Sequence, residues 1–261
     1  VVLWCVIAAT RQEPSGDFPG ASWERATSIE ALGWSPAGVA ALEEKVKTLG
    51  SSAFMIVTRG KVVAAWGDTG RTFLTHSIRK SFMSALYGIA VAEGKIDIER
   101  TLGSLGVTEK GVTLTRIELG ARLIDLLKAR SGVYIPAAGE IAAMSAERPP
   151  RGSHAPGTFW YYNNWDFNVL GTVFRKLTGE DIFDAIDRRI AKPIGMQDYR
   201  VADGQYYFED SSAHPGYLFR IWARDPARFG HLYLHRGRWR DAQVVPAAWV
   251  DASVRSYSTV T

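Results

Sequence analysis

The tightest constraint in this sequence is the stretch Thr75-His76-Ser77-Ile78-Arg79-Lys80-Ser81-Phe82 together with the apolar residues after it. Met83, Ala85, Leu86, Ile89 and Ala90 recur at spacings of three and four, which predicts a helix with a buried face. A serine in the first turn of such a helix and a lysine three residues on share one side of it. The amine then lies within hydrogen-bond reach of the hydroxyl, the arrangement that an activated nucleophile needs. The positive end of the helix dipole and burial both disfavour an ammonium, so the lysine can stand neutral and accept the serine proton. The same letters also fit a capping serine followed by a surface lysine, and S-x-x-K arises by chance in most chains of this size. Only the rest of the chain can separate the two.

Of 261 residues, 46% are hydrophobic and 22% charged, which suits one large domain or two closely packed subdomains. The 31 Lys and Arg are spread among 27 Asp and Glu, with no long basic block or interleaved aromatic platform, so nothing supports a nucleic-acid partner. A single cysteine, Cys5, excludes an intrachain disulfide and a cysteine-based zinc site. The apolar run from Val1 to Ala9 is too short to span a bilayer, and no stable membrane anchor is expected. Polar residues and then Pro, Ser and Gly follow it at once. It therefore reads as the remnant of a secretory signal without its basic start, with export as the corresponding expectation. A buried first strand is the competing reading, and a cytoplasmic location stays open with it.

Residues 10–34 read as an irregular lead-in. Ser35-Pro36 then predicts a capped helix, with Val39, Leu42, Val46 and Leu49 on one face and Gly50 closing it. Two β-rich runs, 53–58 and 61–66, flank Arg59-Gly60 as a hairpin would. A helix is expected over about 119–129, and a proline-rich surface excursion over 134–158. Further helices are expected over about 165–177, 181–191 and 225–234, with a short one beginning near 244–250. No internal repeat is visible.

The segment Pro156-Gly157-Thr158-Phe159-Trp160-Tyr161-Tyr162-Asn163 decides between the readings of Ser77. It resembles the P-G-x-x-F-x-Y-x-N block of the serine β-lactamase-like superfamily, which includes class C β-lactamases, D-alanyl-D-alanine peptidases and related esterases. Leu126 to Val133 is similar to that superfamily's L-L-x-x-x-S-G-[LV]. Asn168-Val169-Leu170-Gly171, Thr178-Gly179, Pro193-Ile194-Gly195-Met196 and the run Ala223 to Phe229 match further signposts in the same order. The resemblance covers about residues 35–258.

It implies an α/β (α+β) fold of the β-lactamase/transpeptidase type, with an antiparallel sheet flanked by helices and a mainly helical subdomain over about 85–200. The domain would occupy 35–261, after a signal remnant and lead-in over 1–34. It also implies that Ser77 is the nucleophile and that Lys80 and Tyr161 manage its proton. Asn163 would bind a substrate amide or carbonyl, and Tyr134 would line the pocket. The expected activity is a serine hydrolase working through an acyl-enzyme on carboxylic esters or small amides, with no metal or organic cofactor. A β-lactamase, a D-alanyl-D-alanine carboxypeptidase or a non-catalytic penicillin-binding-like protein are the alternatives. The superfamily's third motif, K-T-G or H-x-G, is expected beyond residue 261, on strands whose absence would leave the sheet incomplete and the chain weakly active or inactive. His214-Pro215-Gly216 has matching letters but comes too early in the order and is read as a decoy. His231 and His235 sit at zinc-like spacing without a third ligand or the glutamate of a metallopeptidase, and are read as ordinary helix histidines.

Overall fold

A computed structural model describes residues 18–259. Cys5 and the apolar run at 1–9, with the signal reading placed on them, lie outside the described residues. The chain divides between Thr69 and Gly70 into two compact units.

In the first unit a two-residue strand β1 (Glu24–Arg25) precedes helix α1 (Pro36–Thr48) and the strands β2 (Ala53–Thr58) and β3 (Lys61–Gly67). Ser35 caps α1 as expected, its hydroxyl accepting from the Gly38 N–H at 3.2 Å. The β2–β3 hairpin is antiparallel and turns on Arg59 and Gly60, both left-handed at φ 48° and 70°. Phe54 and Trp66 face each other across it, their ring centres 5.6 Å apart. β1 joins the other edge of β3 in parallel.

The second unit begins with β4 (Thr72–Leu74), a 3₁₀ turn over His76–Ile78 and helix α2 (Arg79–Ala92). Short helices α3 (Arg116–Leu119), α4 (Leu123–Leu127) and α5 (Ala142–Ala146) lead to the long α6 (Trp165–Thr178). After it come α7 (Ile182–Ile186), a π turn and α8 (Lys192–Ile194). The chain then forms β5 (Gly204–Tyr207), β6 (Gly216–Trp222), α9 (Arg224–Leu234), a small hairpin of β7 (Arg238–Trp239) and β8 (Ala242–Gln243), and α10 (Ala247–Ser253). β6 is the central strand of an antiparallel sheet in the order β4-β6-β5. This mixed α/β architecture, with small antiparallel sheets among helices, is the fold class read from the sequence.

α2 is the core helix of this unit. Phe82, Met83, Ala85, Leu86, Tyr87 and Ala90 are all but inaccessible. Phe82 stacks on Phe229 of α9 with centres 4.1 Å apart and meets Phe219 of β6 edge-on. The Tyr87 hydroxyl donates to the Leu170 carbonyl of α6 at 2.9 Å, tying the two long helices together.

Two expectations need correction. The helix expected over 119–129 is broken, because the backbone at 119–123 turns aside to bond the segment before it. Leu102 N–H donates to Ala121 O, Gly103 N–H to Leu119 O, and Leu123 N–H to Arg100 O. The excursion at 134–158 also starts inside the protein, since Tyr134, Ile135, Ala137 and Ala138 are buried. Irregular backbone can be buried only where its polar groups find partners. Two asparagine amides supply them here, Asn168 Nδ2 donating to Ala138 O at 3.0 Å and Asn164 Nδ2 to Gly139 O at 2.7 Å.

Gly88 of α2 lies directly under the Trp249 ring of α10, where a Cβ would overlap the indole. Gly88→Ala is therefore expected to destabilise the fold by about 1–3 kcal/mol through overpacking, read as a lowered midpoint of chemical denaturation.

Candidate active site

The site is built where the start of α2, the segment entering α6, the buried stretch before α5 and the strand β6 converge. Thr75 N–H donates to Phe219 O at 3.0 Å, which seats the turn before α2 on the central strand. His76 then takes a left-handed conformation at φ 43°, a cost that a non-glycine residue bears only where its surroundings impose it. The next residue, Ser77, is exposed, and one helical turn later Lys80 is buried beneath it.

Lys80 Nζ touches three oxygens, Ser77 Oγ at 3.1 Å, Tyr162 OH at 2.7 Å and Asn164 Oδ1 at 2.9 Å. The Tyr162 hydroxyl in turn donates to Ser77 Oγ at 2.6 Å, closing a triangle of serine, lysine and tyrosine. Burial lowers the Lys80 pKa to about 7, with the positive charge of Arg79 acting in the same direction. Near neutral pH a large share of the amine is therefore unprotonated, with a lone pair facing two hydroxyls.

Ser77 and Lys80 thus stand together as the sequence predicts, but Tyr161 and Asn163 do not join them. The Tyr161 ring is buried and its hydroxyl donates to the Met144 carbonyl at 2.6 Å. Asn163 accepts from the Asp166 N–H at 2.8 Å and donates to the Tyr161 carbonyl, so its side chain caps the start of α6. The residues that reach the site are their neighbours, Tyr162 and Asn164. Successive side chains of an extended segment point to opposite sides, so a slip of one residue exchanges the whole set. The signal was present in the sequence. Counted strictly from Pro156-Gly157, the P-G-x-x-F-x-Y-x-N spacing puts Trp160 in the aromatic position, Tyr162 on the tyrosine and Asn164 on the asparagine.

Tyr134 does not line the cleft either. Its ring is buried edge-to-face against Tyr161 and His154, with centres 5.7 and 6.0 Å away, and burial pushes its hydroxyl up to about 12. His154 stacks on Phe159 and meets Ser153. His214 is buried between the Thr172 hydroxyl and the Thr108 carbonyl, outside the cleft. The strand that starts two residues after it, β6, is nevertheless the one beside the Ser77 turn.

The cleft over Ser77 has a volume of about 380 Å³. His76, Gly139, Ile141, Met144, Tyr207 and Leu218 form its walls around Ser77, Arg79, Lys80 and Asn164. Among the described residues no group of three or more His, Cys, Asp and Glu could hold a metal ion, and no helix is long and apolar enough to cross a membrane.

A serine in the turn that opens a helix, with a lysine one turn on and a tyrosine facing both, set beside an antiparallel sheet, is the arrangement and fold class that the resemblance to the serine β-lactamase-like superfamily implies. The chain belongs to the beta-lactamase family, whose model matches residues 39–258. No curated protein matches it. Among solved structures it is similar to a Bacillus anthracis protein provisionally described as a 6-aminohexanoate-dimer hydrolase, at 22% identity and a TM-score of 0.63, covering 81% of this chain and 61% of that one. It is also similar to an octameric penicillin-binding protein homologue from Pyrococcus abyssi, at 17% identity and a TM-score of 0.59, covering 90% of this chain and 61% of that one. A penicillin-binding protein from Bacillus halodurans matches at 15% identity and a TM-score of 0.59, covering 84% of this chain and 80% of that one. The chain thus spans about three fifths of the length of the first two, at 61% each.

The depressed Lys80 pKa has a stability consequence with a definite sign. Below about pH 7 both folded and unfolded chains hold the proton, and the folded one bears a desolvated ammonium. Between about 7 and the ordinary 10.5 only the unfolded chain holds it, so stability rises with pH across that window. Lys80→Met is expected to stabilise the fold by about 1–4 kcal/mol at pH 6, and by progressively less toward pH 10, in denaturant titrations at both pH values.

Proposed function

We propose that this protein is a serine hydrolase that works through an acyl-enzyme on carboxylic esters or small amides. One observation carries the reading: Ser77 Oγ lies within hydrogen-bond distance of both the Lys80 amine and the Tyr162 hydroxyl. Serine is a weak nucleophile until a neighbouring base takes its proton, and two linked groups stand ready to take it here.

As Ser77 Oγ bonds to the substrate carbonyl carbon, its proton passes to Lys80 Nζ, directly or through the Tyr162 hydroxyl. The tetrahedral adduct collapses when that proton moves on to the departing alkoxide or amine, leaving the acyl group on Ser77. Water then attacks the acyl carbon, gives one proton to the same relay, and the acid departs as Ser77 regains its hydrogen. Asn164, held by Lys80 on its oxygen and by Gly139 on its nitrogen, fixes the amine in place. The developing oxyanion can be met by the Ser77 N–H. β6 offers a second donor. Phe219 turns its carbonyl and N–H toward Thr75, so strand alternation turns the Tyr217 N–H to the same edge, past the end of β4. The aliphatic walls at Ile141, Met144 and Leu218 favour an uncharged acyl group over a polar one.

A fluorophosphonate probe, followed by peptide mapping, should label Ser77 of this chain, and Ser77→Ala should abolish both the label and any hydrolysis of a p-nitrophenyl acyl ester. Tyr162→Phe is expected to slow labelling by about 10²- to 10⁴-fold, the usual worth of a positioned proton carrier. Tyr161→Phe should change it by no more than a few-fold, and the opposite ranking of the two tyrosines would overturn the assignment. Labelling by a penicillin probe in place of ester turnover would favour the penicillin-recognising alternatives.

A further inference from the structure

Arg79 is an anomaly beside this site. It is 2% exposed, yet no carboxylate among the described residues pairs with it. Its Nη2 donates to Asn168 Oδ1 at 2.9 Å, its guanidinium lies over the Tyr217 ring at 4.2 Å, and its Nη1 is buried with no hydrogen-bond partner. An arginine cannot shed its proton to escape such a position, as a lysine can. Burying an unpaired cation costs several kcal/mol in an ordinary setting. A fold that keeps one at the residue before Lys80 gains something from the charge.

The groups around it explain why the charge is not neutralised. From α6 Asn168 meets the guanidinium, while Phe167 and, just before the helix, Asn164 lie against the neighbouring Lys80, all three uncharged; from β5 and β6 come Tyr207 and Tyr217, whose hydroxyls burial pushes up. Asp166, the acid in this part of α6, interacts instead with Ser131, Asn163 and Tyr134. Glu140 pairs with Arg148, and Glu209, past the end of β5, bears on the Tyr207 hydroxyl. His76 lines the cleft from the exposed side. Lys80 therefore faces two hydroxyls, a carboxamide and a fixed positive charge, with no anion among the described residues to hold its proton.

We propose that Arg79 is a positioning residue of the reaction: its buried, acid-free guanidinium acts as a permanent positive charge that holds Lys80 in the neutral form, able to take the proton of Ser77. This rests on the reading of Ser77 as nucleophile. It assigns to the third letter of the S-x-x-K stretch a part that neither the serine nor the lysine can play. The Asn168 side chain keeps the guanidinium in place without cancelling its charge, which an aspartate there would do.

The test is the pH dependence of Ser77 labelling by a fluorophosphonate, with the unsubstituted chain as reference. Its rate should fall on the acid side of about pH 7, where Lys80 becomes charged. Arg79→Gln, which keeps an amide to meet Asn168, should move that acid limb up by about one pH unit, slowing labelling about tenfold below the limb and little above it. Asn168→Asp retains the arginine but gives it a carboxylate at the same atom, and should move the limb in the same direction. It also serves as the independent variant if Arg79→Gln does not fold. A uniform fall in rate with the limb unmoved in either folded variant would make Arg79 a packing residue and overturn the proposal. No labelling of Ser77 in the unsubstituted chain would overturn the nucleophile reading itself, and this inference with it.

Discussion

Lys80 is a buried amine whose three contacts come from two distant parts of the chain, and the geometry of the site depends on it. Ser77 lies three residues before it in the 3₁₀ turn that opens into α2, Tyr162 on the irregular segment leading into α6, and Asn164 at the threshold of that helix. An ammonium in such a position is costly, and a neutral amine can be held by the same neighbours with less penalty. The depressed pKa is therefore a product of the packing that brings α2 and α6 together, and the chemistry follows from it.

That packing is carried by polar side chains as much as by the apolar core. Asn168 bonds both the Arg79 guanidinium and the Ala138 carbonyl, while Asn164 bonds both the Lys80 amine and the Gly139 carbonyl. Each asparagine thus satisfies irregular backbone with its nitrogen and orients a buried basic side chain with its oxygen. Gly139 has a specific reason to be glycine, since it is left-handed at φ 73° and a Cβ would strike the Tyr207 ring. Gly216 leaves room for the same ring from the other side. Tyr207 is in this way held in the cleft wall by two residues that have no side chain.

Local elements were legible wherever one interaction within a few residues decides them. Ser35-Pro36 is enough to start a helix, and Arg59-Gly60 is enough to reverse a strand, because both act through nearby backbone. The break at 119–123 was not legible, since those peptide groups are claimed by residues 100–103, which no local pattern reveals. The burial of 134–138 was hidden for the same reason. Prolines and small residues look like surface loop until the asparagines of α6 are known to lie against them.

The Tyr161-Tyr162-Asn163-Asn164 run separates what the two levels can say. Helical spacing established that Ser77 and Lys80 share a face, and the family resemblance that a tyrosine and an asparagine two apart should meet them. A doubled pair leaves two registers with identical letters. The strict spacing from Pro156-Gly157 selects the second, and the tertiary structure supplies the physical reason: Tyr161 donates to Met144 O and Asn163 accepts from the Asp166 N–H on one side, while Lys80 meets Tyr162 and Asn164 on the other. Residue spacing limits which side chains can point together. The groups lying opposite them, set by contacts between distant parts of the chain, decide which of them do.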